Sequence, residues 1–278
     1  MSEVNTGSVA TAEDRWIASR REVGAILAVT QRDVTKFLTD RPRIVATFAF
    51  PFLFVLLLGG SFQRSLGSAL GFDYLTFVFT GVYAQTLFQS AALGIISLIE
   101  DRENDFSQEL FIAPVSRYSI IFGKILGESL VALVQGAGII AFGLIVGVRF
   151  SPIQLAGLVL IGIVVCLYGG AFGVLTLSMV RSQRVASQVF IFVFLPQFLI
   201  AGVFNPIRSL PAYLDVLSHI APMRYAVDLT RAVFYTGSPE RSQVVLNGFP
   251  FNAIVVSVLF AGFLLIGTAL FVRNERNR

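Results

Sequence analysis

Glu100-Asp101-Arg102-Glu103-Asn104-Asp105-Phe106, continuing through Glu109-Leu110 to Ala113-Pro114-Val115-Ser116-Arg117, is a charged segment set between two long apolar ones. That contrast decides the fold. In both directions from it the apolar residues come in blocks, and about 20 such residues are what a helix needs to cross the hydrocarbon of a bilayer. The 278-residue chain is 55% hydrophobic and only 14% charged, where a soluble domain carries about 25% charged residues. Its mean hydropathy is +0.77. Globular packing cannot keep that much apolar surface from water, so the chain reads as an all-α integral membrane protein.

Six transmembrane helices follow from the blocks: Ile44–Phe62, Tyr74–Ile99, Ile120–Val148, Ile153–Met179, Ser187–Phe204 and Phe251–Val272. An even number puts both termini on one side. With the termini inside, the cytoplasmic pieces hold fifteen of the 21 lysines and arginines, and the outer pieces hold only Arg64, Arg149, Arg208, Arg224, Arg231 and Arg241. The positive-inside rule then makes both termini cytoplasmic, in the inner (cytoplasmic) membrane of a cell. The chain divides into a cytoplasmic N-terminus, 1–43, and a six-helix membrane domain, 44–278, with an inner loop at about 100–118 and an outer loop at about 205–250. The first forty residues are polar and lack the compact apolar core of a cleavable signal peptide.

Between Trp16 and Arg41, Val23, Ile26, Leu27, Thr30, Val34, Phe37 and Leu38 recur at helical spacing with charges between them. This predicts an amphipathic helix in the inner interface, or else a solvated cytosolic one. Asp40-Arg41-Pro42 ends it before the first span. In the outer loop, Leu210, Leu214 and Leu217 mark one short helix, and Pro222 restarts a second with Tyr225, Ala226, Leu229, Val233 and Phe234. Both are too short to span and read as re-entrant or interfacial.

The chain carries no recognisable catalytic constellation. Gly123-Lys124 is followed by Ile125, and no glycine precedes it at phosphate-loop spacing. His-Glu-x-x-His and Gly-x-Ser-x-Gly are both missing from the sequence. One cysteine, Cys166, and one histidine, His219, exclude an internal disulfide and argue against a metal site built on those residues. The net charge of +4 reflects membrane topology and not nucleic-acid binding. Lys124 and Glu128, at i and i+4 on the third span, share a face and can pair near the inner interface. No further carboxylate lies in a span, which counts against a proton-coupled carrier.

Gln85, Gln89, Gln135, Gln188 and Gln197 sit at membrane depth, where they either bond between helices or line a path. Phe48, Phe50, Phe52 and Phe54 crowd the first span, and Phe190, Phe192, Phe194 and Phe198 crowd the fifth. These rings either face lipid and neighbouring helices or wall a path for an amphipathic substrate. Pro51 and Pro196 are expected to kink their helices. Gly123-x-x-x-Gly127, Gly143-x-x-x-Gly147 and Gly169-x-x-x-Gly173 permit close helix approach.

Together these features resemble the permease subunit of ABC transporters of the type-2 exporter family. Three passages carry the resemblance: Glu100–Arg117 with Gly123-Lys124; Leu210-Pro211, Leu217-Ser218 and Pro222-Met223-Arg224-Tyr225-Ala226-Val227-Asp228-Leu229 with Arg231; and six spans with a large outer loop before the last. The resemblance implies a working unit of two permease copies, as a homodimer, and two copies of a separate ATPase subunit. That partner would bind ATP and Mg, and this chain would hold no cofactor and be no enzyme. The family's coupling helix falls on Glu100, Asp101, Arg102, Glu103, Glu109, Pro114 and Arg117. The amphipathic N-terminal helix would be the connecting helix, and the outer pair would cap the exit. Substrate would run along the dimer interface, past Phe54, Gln85, Gln89, Gln188, Phe194, Gln197 and Phe198.

Within the family the chain is most similar to small drug and antibiotic-resistance permeases of the daunorubicin-exporter type, implying efflux of an amphipathic drug or lipid. Relatives that export polysaccharides or lipid-linked glycans remain an alternative. An ion-coupled carrier, or a membrane protein that moves nothing, is the reading from a different class.

Overall fold

The computed structural model describes residues 12–60, 63, 71–98, 116–180 and 182–276. Its principal helices are α1 (Ala12–Thr39), α2 (Arg41–Phe54), α3 (Tyr74–Gly94), α4 (Arg117–Val146), α5 (Pro152–Ser178), α6 (Gln183–Ile200), α7 (Ala212–Ile220), α8 (Pro222–Phe234) and α9 (Phe249–Arg276). The boundaries have local causes. The Asp40 carboxylate accepts the Arg43 N–H at 3.0 Å and so separates α1 from α2. Ser116 Oγ accepts from the N–H groups of Tyr118 and Ser119 at the start of α4, and Gly147, in the left-handed region at φ 104°, ends that helix. Ser151 and Gln154 form a reciprocal capping box on α5, with Pro152 in its first turn. Shortly after Pro51, α2 loosens into a π-helical turn, Val55–Gly60. Pro51 itself lies inside the α-helical part, where it has no N–H to give to the Thr47 carbonyl.

Among the described residues, four stretches are long and apolar enough to cross a membrane: Arg41–Gly60, Tyr118–Val146, Pro152–Ser178 and Arg241–Arg273. The other two apolar blocks are helical as well, as α3 and α6, but fall short of that measure. In α6 the apolar part, Arg184–Ile200, is short. In α3 the cause is composition: Thr76, Thr80, Gln85, Thr86 and Gln89 interrupt its apolar residues, and its burial is what permits them. This helix is the axis of the bundle, packed against α2, α4, α5 and α8, and nearly every residue from Tyr74 to Phe88 is buried. A helix that meets protein on all sides can carry Thr76, Thr80, Gln85 and Thr86, because those groups face other helices and not lipid tails.

Two of the three glycine motifs seat helices. A Cβ on Gly173 would stand 2.6 Å from the Ala92 carbonyl oxygen, and one on Gly169 would overlap that of Phe88, so α5 lies against bare α3 backbone. Cβ atoms on Gly123 and Gly127 would come within 3.0 Å of Ile26 Cα and 3.2 Å of Thr30 Cα, which brings α1 onto α4. In the third motif Gly143 lies under the Phe79 ring, whereas Gly147 serves as the cap of α4.

The two short outer helices differ. In α7, Tyr213, Val216, Leu217 and Ile220 are exposed. In α8, Met223, Ala226, Val227, Leu229 and Phe234 are buried together with Arg224, Asp228 and Arg231. One is a rim and the other a plug set into the bundle against α3, α5 and α9. Asp228 holds the plug to the following loop, accepting the N–H groups of Leu246 and Asn247 at 2.8 Å each and Asn252 Nδ2 at 2.7 Å.

Candidate functional site

A cleft opens between α2, α3, α4 and α6 and has two chambers. The larger, about 490 Å³, is lined by Arg43, Thr47, Gln85, Thr86, Gln89, Ser90 and Gln135, with Phe50, Pro51, Leu93 and Gly94. The smaller, about 310 Å³, is lined mainly by Phe50, Ile191, Phe194, Leu195 and Phe198. The chambers share Phe50, Gln85, Gln89 and Leu93. Gln85 Nε2 donates to Gln89 Oε1 at this junction, the i, i+4 relation placing both on one face of α3. Aromatic contacts shape the apolar wall: Phe54 meets Phe198 edge-on at 5.5 Å between centroids, and Phe204 lies 4.9 Å from Phe54 and 4.8 Å from Phe198.

The structure therefore brings Gln85, Gln89, Phe194 and Phe198 together, with Phe54 packed against Phe198 behind them. Two expected path residues stand apart. Gln197 points away from the cleft: its Oε1 accepts the Met223 N–H at 3.2 Å, its Nε2 donates to the Val193 carbonyl at 3.0 Å, and it lines an apolar outer groove with Leu217, Pro222 and Phe263. It follows Phe194 by three residues but serves the plug, since α6 presents different faces to α3 and α8. Gln188 is exposed on α6 and lines neither chamber. Of the coupling residues, Glu100, Asp101, Arg102, Glu103, Glu109 and Pro114 lie outside the described residues, and Arg117 opens α4.

Next to the cleft is an ionic joint. Lys124 Nζ lies 2.7 Å from Asp33 Oδ2 and 2.9 Å from Glu128 Oε1, and all three side chains are nearly inaccessible to solvent. Arg32 Nη2 reaches the second Asp33 oxygen at 3.1 Å, and Ser97 Oγ lies 3.4 Å from Glu128 Oε1. The Glu128 carboxylate presses on the backbone of Gly94, a residue of the polar chamber's wall. The joint thus ties α1 and α4 to the last turn of α3 beside the cleft. Thr30 Oγ1 donates to the Gly123 carbonyl at 3.1 Å, and Glu22 Oε1 accepts the Ser116 N–H at 2.9 Å, extending the α1–α4 seam to the point where α4 begins.

The i, i+4 pairing of Lys124 with Glu128 was legible in the sequence, but the third member was not. Asp33 belongs to a stripe, Val29-Asp33-Phe37, that is buried against the bundle, while Val23, Leu27 and Leu38 of the expected apolar face are exposed. A lone carboxylate at i+4 from one apolar residue and i−4 from another is the signal that marks it.

At the other end of α3 a second buried cation was unforeseen. Arg231 lies over the Phe77 ring, with its guanidinium carbon 3.6 Å from the centroid, and its Nη2 donates to the carbonyls of Phe77 at 3.1 Å and Val203 at 3.3 Å. Burial lowers its pKa to about 10, so it remains a cation at neutral pH.

A family model described as ABC-2 type transporter matches residues 24–235, a range that takes in the joint, the cleft and the plug. A Cyanophora paradoxa protein named as transport permease ycf38 is 26% identical over 226 residues, covering 77% of this chain and 78% of its own length. The Escherichia coli (strain K12) protein named as multidrug ABC transporter permease YbhR is 28% identical over 168 residues, 58% of this chain but only 44% of its own length. The inner membrane transport permease YadH of the same organism is 26% identical over 179 residues, 63% of this chain and 68% of its own. With a family match across most of its length and several helices apolar enough to cross a bilayer, this chain is a multi-pass membrane protein and belongs to the ABC-2 type transporter family.

Proposed function

We propose that the chain is the permease subunit of an ATP-driven exporter, moving an amphipathic drug or lipid-like molecule out across the cytoplasmic membrane. The observation that carries the reading is the two-chambered cleft, polar at one end and aromatic at the other, within a chain of this family. The family implies a partner ATPase, which binds ATP and Mg; this subunit contributes no catalysis. Six helices cross the bilayer, α3 and α6 included, with both termini inside. Helix α1 lies in the inner interface with Val23, Leu27 and Leu38 toward lipid. The segment around 100–118 docks on the ATPase, and its charges set register there. Motion of that segment reaches the cleft through the start of α4 and the Asp33–Lys124–Glu128 joint, whose packed parts switch between arrangements and do not bend continuously. Two copies pair through the exposed apolar faces of α2 and α6, where Leu53, Leu57, Ile191, Phe192 and Leu195 await a neighbour.

The first test is gentle solubilisation of the tagged chain, followed by mass spectrometry of what accompanies it. A nucleotide-binding ATPase is expected, and the pair Glu103→Lys and Glu109→Lys should release it without loss of the permease from the membrane. Recovery of the chain alone, under conditions where motor-bound permeases keep their motors, would favour an ion-coupled carrier or a non-transport role. Vesicles containing the recovered complex give the second test. Gln89→Leu and Phe198→Ala should change which amphiphiles are transported more than they change complex assembly. Unaltered transport across the tested substrates would remove the cleft from the path.

A further inference from the structure

We propose that the cleft selects an amphiphile with an anionic headgroup, such as a phosphate or sulfate monoester, seated at Arg43 with its apolar tail in the aromatic chamber. The inference rests on the cleft being the substrate path and adds the charge of the substrate. Arg43 is the only ionisable side chain lining the polar chamber among the described residues. No described carboxylate lies within ion-pair distance of its guanidinium, whose carbon lies over the ring of Phe37 in α1 at 5.7 Å from the centroid. Glu128, the carboxylate behind the Gly94 wall, is already paired with Lys124, in a joint whose other carboxylate, Asp33, is also held by Arg32. Among the described residues the chamber therefore presents a positive charge with no carboxylate partner, in surroundings partly removed from water, where charge–charge attraction is stronger than in bulk solvent.

A second, independent observation points to a ligand. Thr86 Oγ1 is buried on the chamber's wall with no hydrogen-bond partner in the protein. Leaving a buried hydroxyl unpaired is unfavourable, and a ligand oxygen would satisfy it. Arg43, Thr86 and the carboxamides of Gln89 and Gln135 all can donate, whereas a cationic headgroup would meet no carboxylate among the described residues of the lining. The adjoining aromatic chamber meets the polar one at Gln85 and Gln89, so head and tail are accommodated in one continuous cleft.

The full chain in a non-ionic maltoside, examined by native mass spectrometry at constant ionic strength, tests this with dodecyl phosphate, dodecyltrimethylammonium and inorganic phosphate as probes. Dodecyl phosphate should bind about tenfold more tightly than the cationic amphiphile, the scale of one charge-assisted contact. Arg43→Gln should abolish the preference and Arg43→Lys should retain it, while Arg273→Gln, a change at an exposed site away from the cleft, should leave it intact. Thr86→Val should weaken dodecyl phosphate alone. Inorganic phosphate should not displace the amphiphile; displacement at equal concentration would make this a free-anion site and overturn the amphiphile assignment. Equal binding of the two amphiphiles, or a preference that survives Arg43→Gln, would overturn the anionic class while leaving the transport tests at Gln89 and Phe198 to stand or fall by themselves. Should Arg43→Gln fail to fold, the Arg43→Lys and Thr86→Val arms still decide the outcome.

Discussion

Lys124 and Arg231 are both buried cations, one at each end of α3, and they are stabilised in opposite ways. Lys124 has two carboxylates within 3 Å, one from α1 and one from its own helix. Arg231 has no described carboxylate within ion-pair distance; the carbonyls of Phe77 and Val203 and the face of Phe77 surround it. The side-chain chemistry explains the difference. An ammonium is a compact, strongly hydrated charge and needs counter-charges once dehydrated, whereas a planar, delocalised guanidinium can be satisfied by carbonyls along its edge and an aromatic ring on its face. The consequence is mechanical. The Arg231 cage is made mostly of backbone, so it holds the outer plug to α3 in one register. The Lys124 joint is made of three side chains from separate turns, which can exchange partners as α1 and α4 shift.

The comparison can be broken most forcefully at the joint. Lys124→Ala leaves Glu128 buried without a cation and Asp33 with only the partly exposed Arg32, and should cost about 3–5 kcal/mol, as is usual when one member of a buried ion network is removed. Fluorescence-detected size exclusion over a temperature series should show the loss. Combining Asp33→Asn, Lys124→Met and Glu128→Gln should restore most of the stability, because no isolated charge remains. If the triple variant melts no later than Lys124→Ala, the ionic account of the joint is wrong.

At the plug the expected effect is smaller. Arg231→Met removes one donor each from the carbonyls of Phe77 and Val203, the former still accepting from Thr80 Oγ1, and removes the contact with the Phe77 ring, for a loss of about 1–3 kcal/mol. Arg231→Lys should recover only part of it, since a lysine keeps the charge but not the plane. A fully recovered melting temperature in Arg231→Lys would mean that charge alone matters there.

The smallest effect is predicted at Asp228, the carboxylate in the same helix as Arg231. Its oxygens are taken by Leu246, Asn247 and Asn252. Asp228→Asn can keep the Asn247 and Asn252 bonds through its one oxygen but turns its amide nitrogen, a donor, toward the Leu246 N–H; the loss of that bond should cost about 1 kcal/mol, less than Arg231→Met. An effect as large as that of Arg231→Met would show that the Asp228 charge supports Arg231 after all, and the contrast between the two cations would disappear.

How much of this was legible depends on the range of the cause. Helix ends were set by groups a few residues apart, such as Asp40 with Arg43 and Ser151 with Gln154, and the six apolar blocks are all helices. Gln85 and Gln89, adjacent on one face of α3, were recognisable as a polar feature at depth, and they do line the cleft. Gln197 was grouped with them on composition, yet the face of α6 that carries it meets Met223. The apolar stripe of α1 was visible, but not that its buried face is offset toward Val29, Asp33 and Phe37. Likewise the two outer helices have similar apolar spacing, and only their neighbours separate the exposed α7 from the buried α8.

By itself, then, the sequence determined the class of the molecule, the positions of its helices, the glycines that admit close neighbours and the pairing of Lys124 with Glu128. Each of these depends on groups within a few turns of one another, or on the bulk preference of apolar surface for lipid. The tertiary structure alone decided that Asp33 completes the joint with a lysine 91 positions away, that Arg231 reaches back to Phe77, and that Arg43 faces the glutamines of α3 across a cavity. Those contacts join residues far apart in the chain, and they exist only once the helices have chosen which of their faces to bury.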